Sequence, residues 1–297
     1  MYLHLGYANL SHHLIRIPHP SYTSGIMLED VRNNKESLEQ MQDNKMAMVA
    51  DKLQLKAGEK VLDIGCGWGT LTTYFAEVVG AHATGVTIAR DQIEWAENIQ
   101  QNKQLKGTAT MMCCDYRDIP PTTYDKISCL EMAEHVGIRR FPAFLKQVKD
   151  MLADDGIFYL QIAGLRRAWQ WEDFNWGLFM GRYIFPGADA SCPLGWVVNQ
   201  VEAAGFEVAH VDTIGVHYSA TIMKWWENWN SNKALITEKY GIWWFRLWDI
   251  FLAWSTIIAR QGNSTCYCIT LHKNKNGYDR VRFMGQPRLD ANATMSV

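Results

Sequence analysis

From residue 58 onward the chain alternates short apolar runs with longer amphipathic stretches, and that rhythm leaves few folds open. Lys60–Ile64 runs into a glycine loop, Thr70–Val79 has helical spacing and closes on Gly80, Ala81–Val86 is a second strand and Ala89–Gln101 a second helix. Ala109–Cys113, Lys126–Leu130 and Gly156–Ile162 continue as strands, with Phe141–Leu152 helical. Strands that alternate with helices pair in parallel, because each helix carries the chain back to the starting edge. The right hand of those crossovers gathers the strand-to-helix loops on one edge, where ligands bind. The expected fold is therefore α/β, a doubly wound sheet.

After Gly164 the rhythm breaks into an aromatic insertion, residues 165–192. Leu194–Ala204 and Phe206–Ile214 resume it as helix and strand, a mostly helical stretch follows at 218–260, and Thr265–His272 reads as the last strand. The expected organisation is an N-terminal cap (1–57), one domain (58–273) carrying the two insertions, and a loose polar tail (274–297).

Composition narrows the function. A hydrophobic share of 48% supports a large core, and a formal charge of −2 gives no electrostatic reason for a nucleic-acid partner. The seven cysteines form no disulfide framework, and neither CxxC pairs nor His/Cys spacings suggest a metal site. The N-terminus lacks a basic leader followed by an apolar run. Residues 242–259, IWWFRLWDIFLAWSTIIA, come nearest to a membrane span, but Arg246 and Asp249 interrupt them. A charge at a helix centre costs roughly 2.5–3.5 kcal/mol on insertion scales, so a buried or membrane-surface helix is expected instead. Most of the 13 tryptophans follow residue 165, at helical intervals that suit simple core packing as well as a wall met by an acyl chain.

VLDIGCGWGT (61–70) sets Asp63 before Gly65, Gly67 and Gly69 at the first strand-to-helix junction. Glycines there let the backbone turn tightly and approach a ligand closely. The spacing is GxGxG, bulky Trp68 sits where a pyrophosphate would need room, and no GKS or GKT follows. An uncharged nucleoside fits better than a phosphorylated one, with Asp63 steadying the loop through backbone N–H groups or the cation of the ligand.

VLDIGCGWGT, GVTIARDQ, CCDYRDIP and EMAEHVG, in this order and spacing, resemble the cyclopropane-fatty-acid-synthase family of S-adenosylmethionine enzymes. Within it, LQIAGLRRAWQ, YIFPGADAS, GVHYSAT and FRLWDIFLAWSTI look most like the fungal sphingolipid C9-methyltransferases. The resemblance covers residues 21–272 and implies a class I methyltransferase (Rossmann-like) sheet with helical, aromatic-rich insertions covering the substrate. It implies an S-adenosylmethionine-dependent enzyme that methylates C9 of the Δ8-unsaturated sphingoid base of glucosylceramide through a carbocation, with the double bond retained. Such an enzyme works at a membrane surface, on the cytosolic face of the endoplasmic reticulum. The alternatives are a cyclopropane synthase acting on phospholipid acyl chains and an inactive lipid-binding paralogue.

By the same resemblance the cofactor contacts are Tyr22, Thr23, Val61, Leu62, Asp63, Ile64, Gly65, Cys66, Gly67, Trp68 and Gly69, then Thr87, Ile88, Ala89, Arg90, Asp91 and Gln92, and finally Tyr116 and Arg117. Thr87 stands where generic methyltransferases carry an acid for the ribose hydroxyls, a departure that marks this family. Tyr116 would flank the adenine, and Tyr22–Thr23 would close over the cofactor.

Relatives hold a bicarbonate ion as base through a glutamate, a tyrosine, a histidine and backbone N–H groups. Their positions match Glu134, Tyr218, Gln161, Ser24 and Leu130, and a cysteine of some relatives matches Ser255. Gln161 departs from histidine: glutamine can hold an anion but cannot take a proton, and it is expected to re-aim the base toward the methylated carbon. Glu131 is expected to brace backbone or an arginine, His135 to cap or pack against the next helix, and His217 to face solvent on a strand exit. LSHHLIRIPHP replaces the YDxGNDFY-like segment that precedes YTSG in relatives, and the upstream membrane spans of the fungal enzymes are not visible. The expected cap is thus atypical, of the kind a truncation leaves.

Overall fold

Seven strands, β1 (Lys60–Ile64), β2 (His82–Thr87), β3 (Thr108–Cys113), β4 (Tyr124–Leu130), β5 (Leu152–Leu165), β6 (Phe206–Thr213) and β7 (Ser264–Lys273), form one sheet in the order β3-β2-β1-β4-β5-β7-β6. The computed structural model describes residues 23–29, 35–168 and 170–283. Residues 1–22, Tyr22 among them, and 30–34 of the expected cap, and the end of the expected tail, lie outside the described residues. β3, β2, β1, β4 and β5 run parallel, and β7 pairs antiparallel with both β5 and β6. The predicted strands are all present, within a few residues at their ends. The largest difference is at β5, which starts at Leu152 because its register jumps from Tyr124↔Leu152 to Lys126↔Ile157, looping out the polar Asp154 and Asp155.

Val61, Leu62 and Ile64 of β1 are buried because the strand is central and covered on both faces. One covering layer packs around Phe141, Phe144, Leu145 and Val148 of α4 (Phe141–Met151) with Val197 and Val201 of α6 (Leu194–Ala203). The other includes Val49 of α1 (Leu38–Lys52) and Phe75, where α2 (Thr70–Tyr74) widens into a π-helical turn, Phe75–Val79, before Gly80. α3 (Arg90–Gln101) joins β2 to β3.

Beyond the strand C-termini stands an aromatic layer of four helices, α5 (Trp171–Phe179), α7 (Gly215–Ser231), α8 (Lys233–Tyr240) and α9 (Ile242–Gln261). The first belongs to the 165–192 insertion. Its N-terminus is tied to the sheet through Asp173, which takes Arg166 at 2.9 Å and the amide of Asn263 at 3.1 Å. Trp225, Trp229 and Trp248 are fully buried, with Trp229 stacked on Phe245 at 5.8 Å. α9 is long and apolar enough to cross a membrane, but half of it is buried within the layer. Its Asp249 accepts from the Trp226 indole at 2.7 Å and Arg246 stays exposed, so neither charge is stranded.

A strap, Thr23–Glu29, lies across α1: Ile26 N–H donates to Met41 carbonyl at 2.8 Å, Gln42 donates to Thr23 carbonyl at 2.8 Å, and the buried Lys45 ammonium donates to Ser24 Oγ at 3.0 Å. Ser37 caps α1 by accepting from Gln40 N–H at 3.2 Å. Ser37→Ala should lower stability by about 1 kcal/mol. A thermal scan should then show a melting temperature lower by roughly 2–4 °C.

Candidate active site

At the carboxyl edge of the sheet, between the glycine loop and the aromatic layer, lies a cavity of about 590 Å³. The loop forms its floor. Gly65, Gly67 and Gly69 all have positive φ (+79°, +54° and +73°), which glycine adopts without steric cost. A Cβ on Gly65 would meet the Met132 Cβ at 2.5 Å, and one on Gly69 the Ala96 Cβ at 2.8 Å; at Gly67 a Cβ would project into open space. Those constraints explain the GxGxG spacing. Asp63 beneath the loop is buried, and its oxygens accept from Thr72 at 3.0 Å and Ser128 at 2.8 Å. These are side-chain hydroxyls, where backbone N–H partners were expected. Burial pushes its carboxyl up to about 6, although both hydroxyls favour the charged form.

Thr87 Oγ1 donates to Gln92 Oε1 at 3.0 Å, so the Gln92 amide N–H group is turned away from that bond, and Gln92 lines the cavity. Among the other expected cofactor contacts, Thr23, Cys66 and Trp68 also line it. Val61, Leu62 and Ile64 have their side chains in the core, and Ile88, Arg90 and Asp91 are exposed outside the lining, with Ala89 as the N-cap of α3. Tyr116 packs edge-on against Phe144 at 5.4 Å, and Arg117 forms a two-pronged pair with Asp115 at 2.8 and 2.7 Å; neither lines the cavity.

Two carboxylates enter the cavity from the end of β4, and their surroundings differ. Glu134 is buried; one oxygen accepts from Ala163 N–H at 2.5 Å, and the other has no hydrogen-bond partner among the described residues. Burial, then the negative charge of Glu131, pushes its acid up to about 8, so it is protonated at neutral pH. Glu131 is the hub instead. Its Oε1 accepts from Thr23 Oγ1 at 3.0 Å and Gln161 Nε2 at 2.5 Å, and its Oε2 from the Tyr218 hydroxyl at 2.7 Å. The Cys266 thiol lies 3.9 Å from Oε1. Gln161 also donates to Thr23 at 3.0 Å, while its carbonyl oxygen accepts from Cys268 at 3.6 Å, which fixes the orientation of the amide.

Sheet register brings these groups together: Leu130 pairs with Gln161, Gln161 with Cys268 and Ala163 with Cys266. The β4–β5 ladder runs one residue further, through Glu131 N–H to Gln161 carbonyl at 2.9 Å, with Glu131 held at φ +57°. A non-glycine residue held in that region costs on the order of 1–3 kcal/mol and persists only where its surroundings enforce it.

The structure thus places Tyr218 and Gln161 on Glu131, whereas sequence reasoning grouped them around Glu134. Leu130 and Ser255 line the cavity, though Ser255 Oγ donates to its own helix at Phe251 carbonyl, 2.6 Å away. Ser24 is buried against Lys45 and does not line it. His135 is exposed at the rim, and His217 lies in the first turn of α7, where its Nδ1 accepts from Met27 N–H at 3.1 Å. Cys266, which sequence reasoning missed, carries no local signal; only pairing with β5 brings it near. Trp176, Phe185, Ile222, Trp225 and Phe251 supply an apolar wall.

The model of the mycolic acid cyclopropane synthetase family matches residues 18–269. Sphingolipid C9-methyltransferase 2 of Gibberella zeae is 54% identical over 267 residues, covering 89% of this chain and 51% of that protein. The sphingolipid C9-methyltransferase of Komagataella phaffii is 54% identical over 272 residues, covering 89% and 55%. The chain spans about half the length of the curated relatives it matches. Among solved structures, mycolic acid cyclopropane synthase CmaA1 complexed with SAH and CTAB superposes with a TM-score of 0.82 at 22% identity, over 89% of this chain and 94% of that one, a likeness of fold.

Proposed function

The chain belongs to the mycolic acid cyclopropane synthetase family, and from that premise we propose that it is an S-adenosylmethionine-dependent methyltransferase acting on C9 of a Δ8-unsaturated sphingoid base, with the alkene retained. The observation that carries this reading is one continuous cavity joining a glycine loop, a hydrogen-bonded carboxylate and an aromatic wall. The relatives named as sphingolipid C9-methyltransferases support the substrate class. Glucosylceramide is the proposed lipid, and the cytosolic face of a membrane, the endoplasmic reticulum by resemblance, the proposed place.

S-adenosylmethionine supplies an electrophilic methyl group when bound. The loop fits it: three positive-φ glycines leave backbone open to the cavity at Gly67, and no basic side chain on the loop asks for a phosphate. Asp63, Gly65–Gly69, Thr87 and Gln92 are the proposed holders.

An isolated alkene needs no deprotonation to attack a methyl donor. It needs orientation, shelter for the cation formed on the chain, and a base. The proposed apolar wall aligns the chain, and aromatic faces beside it favour positive charge. Phe174 and Leu178 both line the cavity and are solvent-exposed, 39% and 57%, so the mouth opens beside apolar side chains; Trp171, 71% exposed, continues that face of α5. Such a rim suits entry of a lipid from a membrane surface.

Incubation of the protein with methyl-labelled S-adenosylmethionine and Δ8-unsaturated glucosylceramide in mixed micelles tests the reading. The expected product carries label on C9 and keeps its alkene, read as a vinyl proton and by ozonolysis. A cyclopropane on phospholipid acyl chains would instead establish the alternative, and cofactor binding without turnover on either lipid would leave a lipid-binding protein.

A further inference from the structure

We propose that Glu131 is the base that takes the proton from the methylated carbon, so that this protein carries its own carboxylate where the resemblance implies a bound bicarbonate ion. The inference rests on the alkene-methylation reading above. Three donors from separate elements, Thr23 of the strap, Gln161 of β5 and Tyr218 of α7, converge on the Glu131 carboxylate. These include both side chains, Tyr218 and Gln161, that would hold an exogenous anion beside Glu134. With their hydrogens committed to Glu131, a second anion at that point would lose those donors and face a like charge in a poorly solvated pocket. A bicarbonate ion therefore does not fit the site as built. Glu131 lines the cavity that joins the glycine loop to the aromatic wall. Its backbone is held at φ +57° by the extended β4–β5 ladder, a conformation that a non-glycine residue adopts uncommonly and keeps only where its surroundings enforce it. Glu134 is poorly placed for the role: one oxygen is taken by Ala163 N–H, and its acid, pushed up to about 8, already holds its proton at neutral pH.

The step balances on these groups. The alkene's π pair forms the bond from C9 to the methyl carbon as the C–S bond breaks and its electrons leave with sulfur. C8 becomes the cation. Glu131 takes the hydrogen of C9 as a proton, and the C–H pair closes a double bond between C8 and C9. The positive charge of the donor ends as a proton on Glu131, which passes it to solvent after product leaves. A proton next to a carbocation is acidic enough for a carboxylate to accept it. Loss from C9 rather than from the new methyl then requires the chain to lie with its C9 hydrogen toward Glu131, an alignment the apolar wall would set.

The test uses the full chain with carbon dioxide removed by argon. The wild-type rate is expected to stay within about twofold with or without added bicarbonate, while Glu131→Gln lowers kcat by roughly 10²–10⁴-fold. Calorimetric affinity for S-adenosylmethionine should change less than about threefold, since glutamine keeps the shape of the side chain and Thr23, Gln161 and Tyr218, which donate to Glu131, are not loop residues. Glycine suits φ +57°, so Glu131→Gly is expected to fold and to open a small-anion site. ¹³C-formate and ¹³C-bicarbonate should bind this variant and not the wild type, an NMR readout that needs no turnover, and formate should restore part of its rate. Wild-type activity that disappears without bicarbonate and returns with it would overturn the proposal, as would a Glu131→Gln variant at wild-type kcat or saturable binding of bicarbonate to the wild type. A wild-type protein that methylates no alkene refutes the functional reading instead, and anion binding to Glu131→Gly then reports on the site alone.

Discussion

Valine at position 65 will abolish S-adenosylmethionine binding and strongly lower the melting temperature, whereas alanine at position 67 will act chiefly on binding. The Gly65 Cβ position lies 2.5 Å from the Met132 Cβ, and φ is +79°. A branched side chain there must move β4's exit loop, which carries Glu131 and Glu134, or unwind the turn. Overpacking of that kind costs about 1–3 kcal/mol, added to ~1–2 kcal/mol for the left-handed backbone. At Gly67 nothing lies within 4 Å of the added carbon. Alanine there meets only the backbone cost, but its methyl projects into the space a ligand would occupy. Calorimetry should show no measurable affinity for Gly65→Val and at least a tenfold loss for Gly67→Ala, with melting shifted strongly only in the first. Equal melting temperatures would refute the packing argument.

Glu134→Gln is expected to remove a pH dependence from the stability of the fold. The Glu134 acid rises from 4.5 to about 8 on folding, first through burial and then through the charge of Glu131. Below 4.5 the folded and unfolded chains both hold the proton, and this contribution is fully present. Between 4.5 and about 8 the unfolded chain releases a proton that the folded chain keeps, so stability falls as pH rises. Above about 8 the slope vanishes. At ~1.4 kcal/mol per pH unit, the loss across the window is on the order of 5 kcal/mol. Glutamine has the shape of the neutral acid, and its oxygen can still accept from Ala163. Denaturant titrations at pH 5 and pH 8 should therefore diverge for the wild type by several kcal/mol more than for the variant. Parallel curves for the two proteins would show that Glu134 does not carry its proton in the fold.

The sheet was legible because central parallel strands must be apolar on both faces, and Val61–Ile64 and Ile157–Leu160 have few other places to go. Loop chemistry was legible where glycine is obligatory, at Gly65 and Gly69. The polar centre was harder to see. Glu131 stands three residues before Glu134, so in sequence it reads as a support. Its partners lie 108, 30 and 87 residues away in Thr23, Gln161 and Tyr218. Periodicity carries no signal for such convergence; sheet register and the strap create it. α7 starts three residues before the expected 218 for a related reason. The helix follows a strand without a capping side chain, so His217 reads as strand exit although it lies in the first helical turn.

α7 presents Tyr218, Ile222 and Trp225 to the same cavity, four and then three residues apart along one face. Their backbone positions are about 10 Å apart along the axis at ~1.5 Å per residue, yet the Tyr218 and Trp225 rings meet edge-on with centroids 6.2 Å apart. One helix thus ties the hydroxyl that binds Glu131 directly to the apolar wall of the proposed site, so the two cannot shift independently. A lipid chain packed on that wall in the proposed reaction would present its double bond at a fixed mark beside Tyr218 and Glu131. Moving the alkene by one or two carbons would leave the lipid bound and the mark missed, so chain geometry would be read in turnover and in the carbon chosen, with little change in affinity.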